Sequence, residues 1–212
     1  MITVKSFEFN YFSVNTYVLH DETGEAVLID CGCFRREEEL ELSNYIIANK
    51  LTLKHLLCTH LHLDHVFGNE FANHTYGLKP QAHKADVEII PSPQEQAKLF
   101  GLHDRIQSVP IEKYIVGNEV IKFGNSELIA LLVPGHSPGS LAFYNKKSGF
   151  AITGDAIFNR SIGRSDLWGG NQEILIAAIK DKILSLPDET ILYPGHGPET
   201  NVIEESLNNP FL

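Results

Sequence analysis

The chain has 212 residues, 43% of them apolar and 21% charged, a composition typical of a soluble globular protein and enough chain for a single large domain. A formal charge of −10 sets it against phosphate backbones and anionic bilayers, so neither nucleic acid nor membrane is an expected partner. Three cysteines, Cys31, Cys33 and Cys58, are an odd number in a chain too long to need staples, which argues for reduced thiols in or near a core rather than a disulfide framework.

The opening residues, Met1-Ile2-Thr3-Val4-Lys5-Ser6-Phe7-Glu8, hold neither a basic leader nor a long apolar run, and no stretch approaches the ~18 apolar residues of a membrane span. A cytoplasmic protein is expected. Residues 3–9, 16–20 and 25–30 are rich in Val, Ile, Phe and Tyr and are separated by turn signals, which predicts three strands. A charged amphipathic helix follows over 36–49, with Leu40, Ile46 and Ile47 as its expected core contacts. Residues 53–58 then read as a buried strand.

Residues 67–107 mix short helical segments with one strand near 79–82, and Pro91-Ser92-Pro93 marks a surface loop. Strands resume at 120–123, 127–133, 141–144 and 150–153, and a helix at 172–184 and a strand at 190–193 close the chain. Blocks of strands each followed by helices imply two sheets with helices on their outer faces, an α/β or α+β domain spanning 1–212.

The chemistry concentrates where the strand at 53–58 ends. His60-x-His62-x-Asp64-His65 places three imidazoles and a carboxylate within six residues, groups suited to zinc, iron or manganese. Alternation favours His60 and His62 facing one ion, with Asp64 and His65 facing another. Three later residues follow predicted strands and complete the set: His136 for the first ion, His196 for the second, and Asp155, whose two oxygens can bridge both. The glycines before them allow sharp backbone turns. Isolated histidines are usually surface or hydrogen-bonded residues, and His20, His55, His74, His83 and His103 are read that way.

The six-residue cluster, Gly135-His136-Ser137, Gly154-Asp155 and Gly195-His196-Gly197 resemble the motifs of the metallo-β-lactamase superfamily over nearly the whole chain. The resemblance implies an αββα sandwich with its metal site at one edge of the two sheets. It also implies that Asp30 supports the metal loop, orienting its imidazoles. Gly135-His136-Ser137-Pro138-Gly139-Ser140, Gly154-Asp155-Ala156-Ile157-Phe158 and Pro194-Gly195-His196-Gly197-Pro198-Glu199-Thr200 are similar to the small glyoxalase II-like hydrolases, which cleave thioesters such as S-lactoylglutathione. The larger glyoxalase II enzymes carry Lys and Tyr where this chain has Arg164 and Asp166, and Tyr where it has Pro198.

The implied cofactor is a pair of divalent ions, zinc foremost, with iron or manganese as alternatives. In such a centre a bridging hydroxide attacks the carbonyl carbon, the net positive charge steadies the oxyanion, and Asp64 handles the proton. Arg164, close in sequence to Asp155, is expected to bind an anionic part of a small thioester substrate. The competing reading is a mononuclear iron sulfur dioxygenase of the same superfamily, using His60, His136 and Asp155. A non-catalytic binding protein is the remote alternative, and nothing in the sequence indicates an oligomeric state.

Overall fold

The computed structural model describes residues 1–102 and 106–212. Both predicted sheets form. In the first, β1 (Thr3–Phe9), β2 (Val14–His20), β3 (Glu25–Ile29), β4 (Thr52–Leu57), β5 (Pro80–Ala82) and β6 (Lys113–Tyr114) lie side by side in chain order. The second runs β14–β13–β10–β9–β8–β7, built from β7 (Val120–Phe123), β8 (Ser126–Leu132), β9 (Leu141–Asn145), β10 (Phe150–Gly154), β13 (Ile191–Pro194) and β14 (Thr200–Asn201). A separate hairpin joins β11 (Ile157–Phe158) to β12 (Ser161–Ile162).

Period-two alternation decides which side chains meet. On β2 and β3, Tyr17, Leu19, Val27 and Ile29 face the other sheet, while Val18, Ala26 and Leu28 face outward. On β9 and β10, Leu141, Phe143, Phe150 and Ile152 point inward, and Ala142, Tyr144 and Ala151 outward. Both faces of each sheet are therefore apolar, and helices must cover the outer ones. The outer layers are α1 (Arg36–Ala48) and α3 (Asn69–Tyr76) on the first sheet, and α6 (Gln172–Ala178) and α7 (Val202–Asn208) on the second. The order of layers is helix, sheet, sheet, helix. The single-turn α2 (Leu63–Val66), α4 (Lys84–Ile89) and α5 (Pro93–Leu99) lie between β4 and β6 in the chain.

Two expectations are corrected, and a third is refined. Helix α1 buries Leu42 and Ile46, one turn apart, whereas Leu40 and Ile47 are 46% and 72% exposed. The reason is angular: residues 40 and 47 share a face that points away from the sheet. Pro91 and Ser92 lie outside regular structure as expected, but Ser92 already caps α5 and Pro93 opens it. Ser92 Oγ accepts from Glu95 N, Glu95 Oε2 accepts from Ser92 N, and Pro93 occupies the first helical position, where its missing N–H costs nothing. The helix at 172–184 ends in a widened π-helical turn over Ile179–Ile183, which keeps Leu175, Ile179 and Ile183 fully buried.

Strands β3 and β4 run parallel, as do β10 and β13; β8 shares the direction of β10 because both are antiparallel to β9. The carboxyl ends of these strands thus gather at one edge of each sheet, and the segments that follow β4, β8, β10 and β13 carry the candidate metal residues. The sheets are joined there by the Leu141 N–H donating to Thr59 O at 2.8 Å and by the Tyr17 hydroxyl donating to Pro194 O at 2.6 Å.

At the far end, Asp21 ties the β2–β3 turn to the β7–β8 turn, accepting from Thr23 N, Thr23 Oγ1, Asn125 N and Ser126 Oγ at 2.6–3.0 Å. Burial would raise its pKa, but these bonds outweigh burial and pull it down to about 2. Asp21→Ala should cost about 2 kcal/mol or more, given the worth of hydrogen bonds to a charged acceptor. Because the folded pKa is depressed, the contribution is present above the unfolded value of about 3.9 and is lost as pH falls toward 2. Urea unfolding of both proteins across that window should show the difference shrinking as the pH drops.

Candidate metal centre

The segment after β4 is extended through His62 and then makes the single turn of α2, so His60 and His62 diverge from Asp64 and His65. His136 arrives on the loop after β8, Asp155 directly after β10, and His196 after β13. Candidate ligand atoms of His60, His62 and His136 lie within 4.8 Å of one another, and those of Asp64, His65 and His196 form a second such group. Asp155 sits between the groups: Oδ2 is 3.7 Å from His136 Nε2 and 3.5 Å from His196 Nε2, while Oδ1 is 3.3 Å from His65 Nε2.

Hydrogen bonds behind the rings set their orientation. Nδ1–H of His65 donates to Asp30 Oδ2 at 2.9 Å, that of His136 to Arg164 O at 2.7 Å and that of His196 to Ser13 O at 3.2 Å. Thr59 Oγ1 donates to Asp30 Oδ2, which leaves it to accept from His60 Nδ1–H at 3.0 Å. With each Nδ1 proton so assigned, the Nε2 atoms turn toward the centre, those of His60 and His136 as bare lone pairs. His60 Nε2 and His136 Nε2 then confront each other at 3.1 Å, lone pair against lone pair. His62 Nε2 is buried with no hydrogen-bond partner, at a cost of about 1–3 kcal/mol, and His65 Nε2 and Asp155 Oδ1 face each other at 3.3 Å without a well-formed hydrogen bond. A bound cation resolves the conflict and satisfies the orphaned atoms, so the residues present fit a metal.

The two groups differ electrostatically. Burial and the neighbouring imidazoles push His60 well below its usual range and His62 down to about 3, and burial also lowers His136. In the second group burial opposes protonation but is outweighed: Asp155, Asp64 and Asp30 hold His65 well above its usual range, and hydrogen bonds to Asp155 and Asp64 carry His196 up to about 10. Despite burial, the facing histidines keep Asp64 and Asp155 ionised.

Two buried aspartates brace the loops. Asp30 takes a left-handed backbone conformation, φ 51°, unusual without glycine, and is held by donors from Thr59 N, Thr59 Oγ1 and His65 Nδ1. Asp86 was not anticipated from the sequence. It accepts from Leu61 N, Ser137 Oγ and Gly139 N at 2.6–3.1 Å, joining the loop of His60 and His62 to that of His136, and burial pushes its carboxyl up to about 6 against those bonds. Gln96, also unanticipated and fully buried, accepts from Leu63 N and donates to Leu61 O. A lone Asp and a lone Gln in short helices carry no motif that would have marked them. Gly195 is required by space: a Cβ there would stand 2.0 Å from Asp155 Oδ1.

Of the other histidines, His20, His55 and His83 are hydrogen-bonded and His74 is exposed, while His103 lies outside the described residues. The three cysteines are free and buried. Arg164 lines the cavity above the centre, about 380 Å³ in volume. Its guanidinium is nevertheless already engaged, in a bidentate pair with Asp166 at 2.7 Å through each nitrogen. An anionic substrate group would have to replace that partner.

Residues 10–196 match the family described as the metallo-beta-lactamase superfamily. The chain is 34% identical over 207 residues to the hydroxyacylglutathione hydrolase GloC of Haemophilus influenzae, covering 95% of this chain and 93% of that one. Among solved structures it resembles the BLEG-1 B3 metallo-beta-lactamase, with a TM-score of 0.89, 31% identity and coverage of 100% and 99%. It also resembles TTHA1623 in a di-iron-bound form, with a TM-score of 0.85, 32% identity and coverage of 99% and 100%. No helix among the described residues is long and apolar enough to cross a membrane.

The electrostatic contrast makes a measurable difference. An ion held by His60, His62 and His136 meets imidazoles that are already neutral, whereas one held by Asp64, His65 and His196 must displace protons. Because the His65 and His196 pKa values are raised, second-site affinity should climb with pH above neutrality, while first-site affinity should stay nearly flat above pH 7. Calorimetric titration in buffers of different ionisation heat should find proton release with the second equivalent only. Equal release with both would refute this assignment.

Proposed function

Because the chain belongs to the metallo-beta-lactamase superfamily, we propose that it is a two-metal hydrolase acting on thioesters. His60, His62 and His136 would hold one ion and Asp64, His65 and His196 the other, with Asp155 lying between the two groups. A metal pair bound there would supply a water of lowered pKa and a Lewis acid for a substrate carbonyl. The observation that carries the reading is what the cavity lacks. Its floor is His62, Asp64, His136, Asp155 and His196, and no Ser, Thr, Cys or Lys is among the described residues lining it. The carboxylates and imidazoles of that floor are the proposed metal ligands, which leaves water as the nucleophile.

The chain's own groups have distinct tasks. Asp64 Oδ2, 3.2 Å from His196 Nε2, faces the cavity in its ionised form, where it can orient a water and accept its proton. Asp30, through His65 and Thr59, keeps the imidazoles aimed inward. The thioester class is supported by the near full-length similarity to GloC. The ions expected are zinc, iron or manganese, which imidazole and carboxylate all suit.

Protein purified without added metal should contain two ions per chain, and it should cleave S-lactoylglutathione or simpler thioesters. Strong chelation should abolish turnover, and added divalent metal should restore it. Turnover of a β-lactam with no thioester cleaved would overturn the thioester reading. A single tightly held iron with oxygen consumed on a persulfide would overturn the dinuclear hydrolase.

Arg164 is proposed to receive a carboxylate of the substrate by exchange with Asp166. Both side chains are more than half exposed, and a pair of this kind is worth only about 0–1 kcal/mol, so the exchange is cheap. Arg164→Ala should raise KM for a carboxylate-bearing thioester by the equivalent of ~1.5–3 kcal/mol. Asp166→Ala, which frees the guanidinium, should lower it. Neutral thioesters should respond to neither change; equal losses on charged and neutral substrates would make the pair structural.

A further inference from the structure

The cavity over the metal residues has a polar floor and an aromatic wall. The wall is Phe12 from the β1–β2 turn, Phe100 just past α5, and Trp168 from the loop after β12. Trp168 leans over the floor, its ring centre 5.8 Å from that of His62. Phe100 meets it edge-on, at 6.3 Å and 80°, and Phe12 meets Phe100 at 6.3 Å and 64°. Single exposed aromatics need no explanation. Here three distant segments bring their rings to one cavity beside a reaction centre, and Phe12 and Phe100 remain 42% and 45% exposed.

Apolar area left in water forgoes about 25 cal/mol per Å², which an apolar guest would recover. Rings set at steep angles to one another suit a flat guest, which can stack on one ring while meeting the edge of the next. Charge narrows the guest further. Arg164 is the one Lys or Arg among the described lining residues, so the wall offers a single guanidinium to an anionic group of the guest.

Resting on the hydrolase reading of this centre, we propose that Phe12, Phe100 and Trp168 form a subsite for an aryl group borne by the thioester. Specificity is then set by the ring, with the carbonyl delivered to the floor beneath Trp168.

Trp168 is the only tryptophan in the chain, so its fluorescence reads occupancy of this wall without turnover. The metal-loaded protein is titrated with phenylthioacetone and with methylthioacetone, in which a methylene separates carbonyl from sulfur and no thioester bond exists to cleave. The phenyl probe should bind roughly tenfold tighter, a difference of about 1.4 kcal/mol. Phe100→Ala should erase most of that preference, and Phe100→Leu, which keeps apolar bulk without the ring, should erase part of it, with metal content unchanged in both. Equal affinity for the two probes, or a phenyl preference that survives both Phe12→Ala and Phe100→Ala, would overturn the subsite. Thioester turnover measured alongside separates the two readings. Aryl preference with no thioester cleaved keeps the subsite and removes the hydrolase; thioesters cleaved with no aryl preference does the reverse.

Discussion

The 3.1 Å approach of His60 Nε2 to His136 Nε2 is the constraint around which the rest of the centre is arranged. Two neutral imidazoles do not turn lone pairs on each other without something to share. Each is held in that attitude by a bond on its far side, to Thr59 or to the Arg164 carbonyl. The rigidity of the backing converts a local repulsion into a demand for a cation, and the unpartnered Nε2 of His62 adds to it.

That backing comes from the sheets. Asp30 directly follows β3 and grips Thr59 and His65 beyond β4, so the pairing of two neighbouring parallel strands determines where two imidazoles point. Asp86 does the same between loops of different sheets, through Leu61 on one side and Ser137 and Gly139 on the other. Asn15 closes the remaining gap, its side-chain amide donating to the carbonyls of Pro194 and Gly197 on either side of His196. Three short polar side chains, each buried, thus transmit the geometry of two sheets to one site.

Much of this was legible in the sequence, because strands buried on both faces and histidines clustered after a strand are local patterns. The order of the strands within each sheet and the bracing residues were not, since pairing and buried hydrogen bonds join positions far apart in the chain. Leu40 and Ile47 show the limit on a helix: apolar residues on a charged helix suggest a stripe, but only the packing of Leu42 and Ile46 against the sheet shows which face is inward. Asp86 and Gln96 look like ordinary surface residues in sequence. The aromatic wall was illegible for another reason: Phe12, Phe100 and Trp168 belong to three loops whose proximity follows only from the assembled sandwich.

The ligand groups are scattered from His60 to His196, and they arise from strand ends in both sheets. No fragment that stops short of β13 contains the complete set, and no arrangement with the two sheets apart can close it. Contacts of such long sequence separation form late and at high entropic cost. Closing the full set of ligand groups is therefore possible only in the finished fold. A ligand that bound the complete set alone would draw the equilibrium toward that fold.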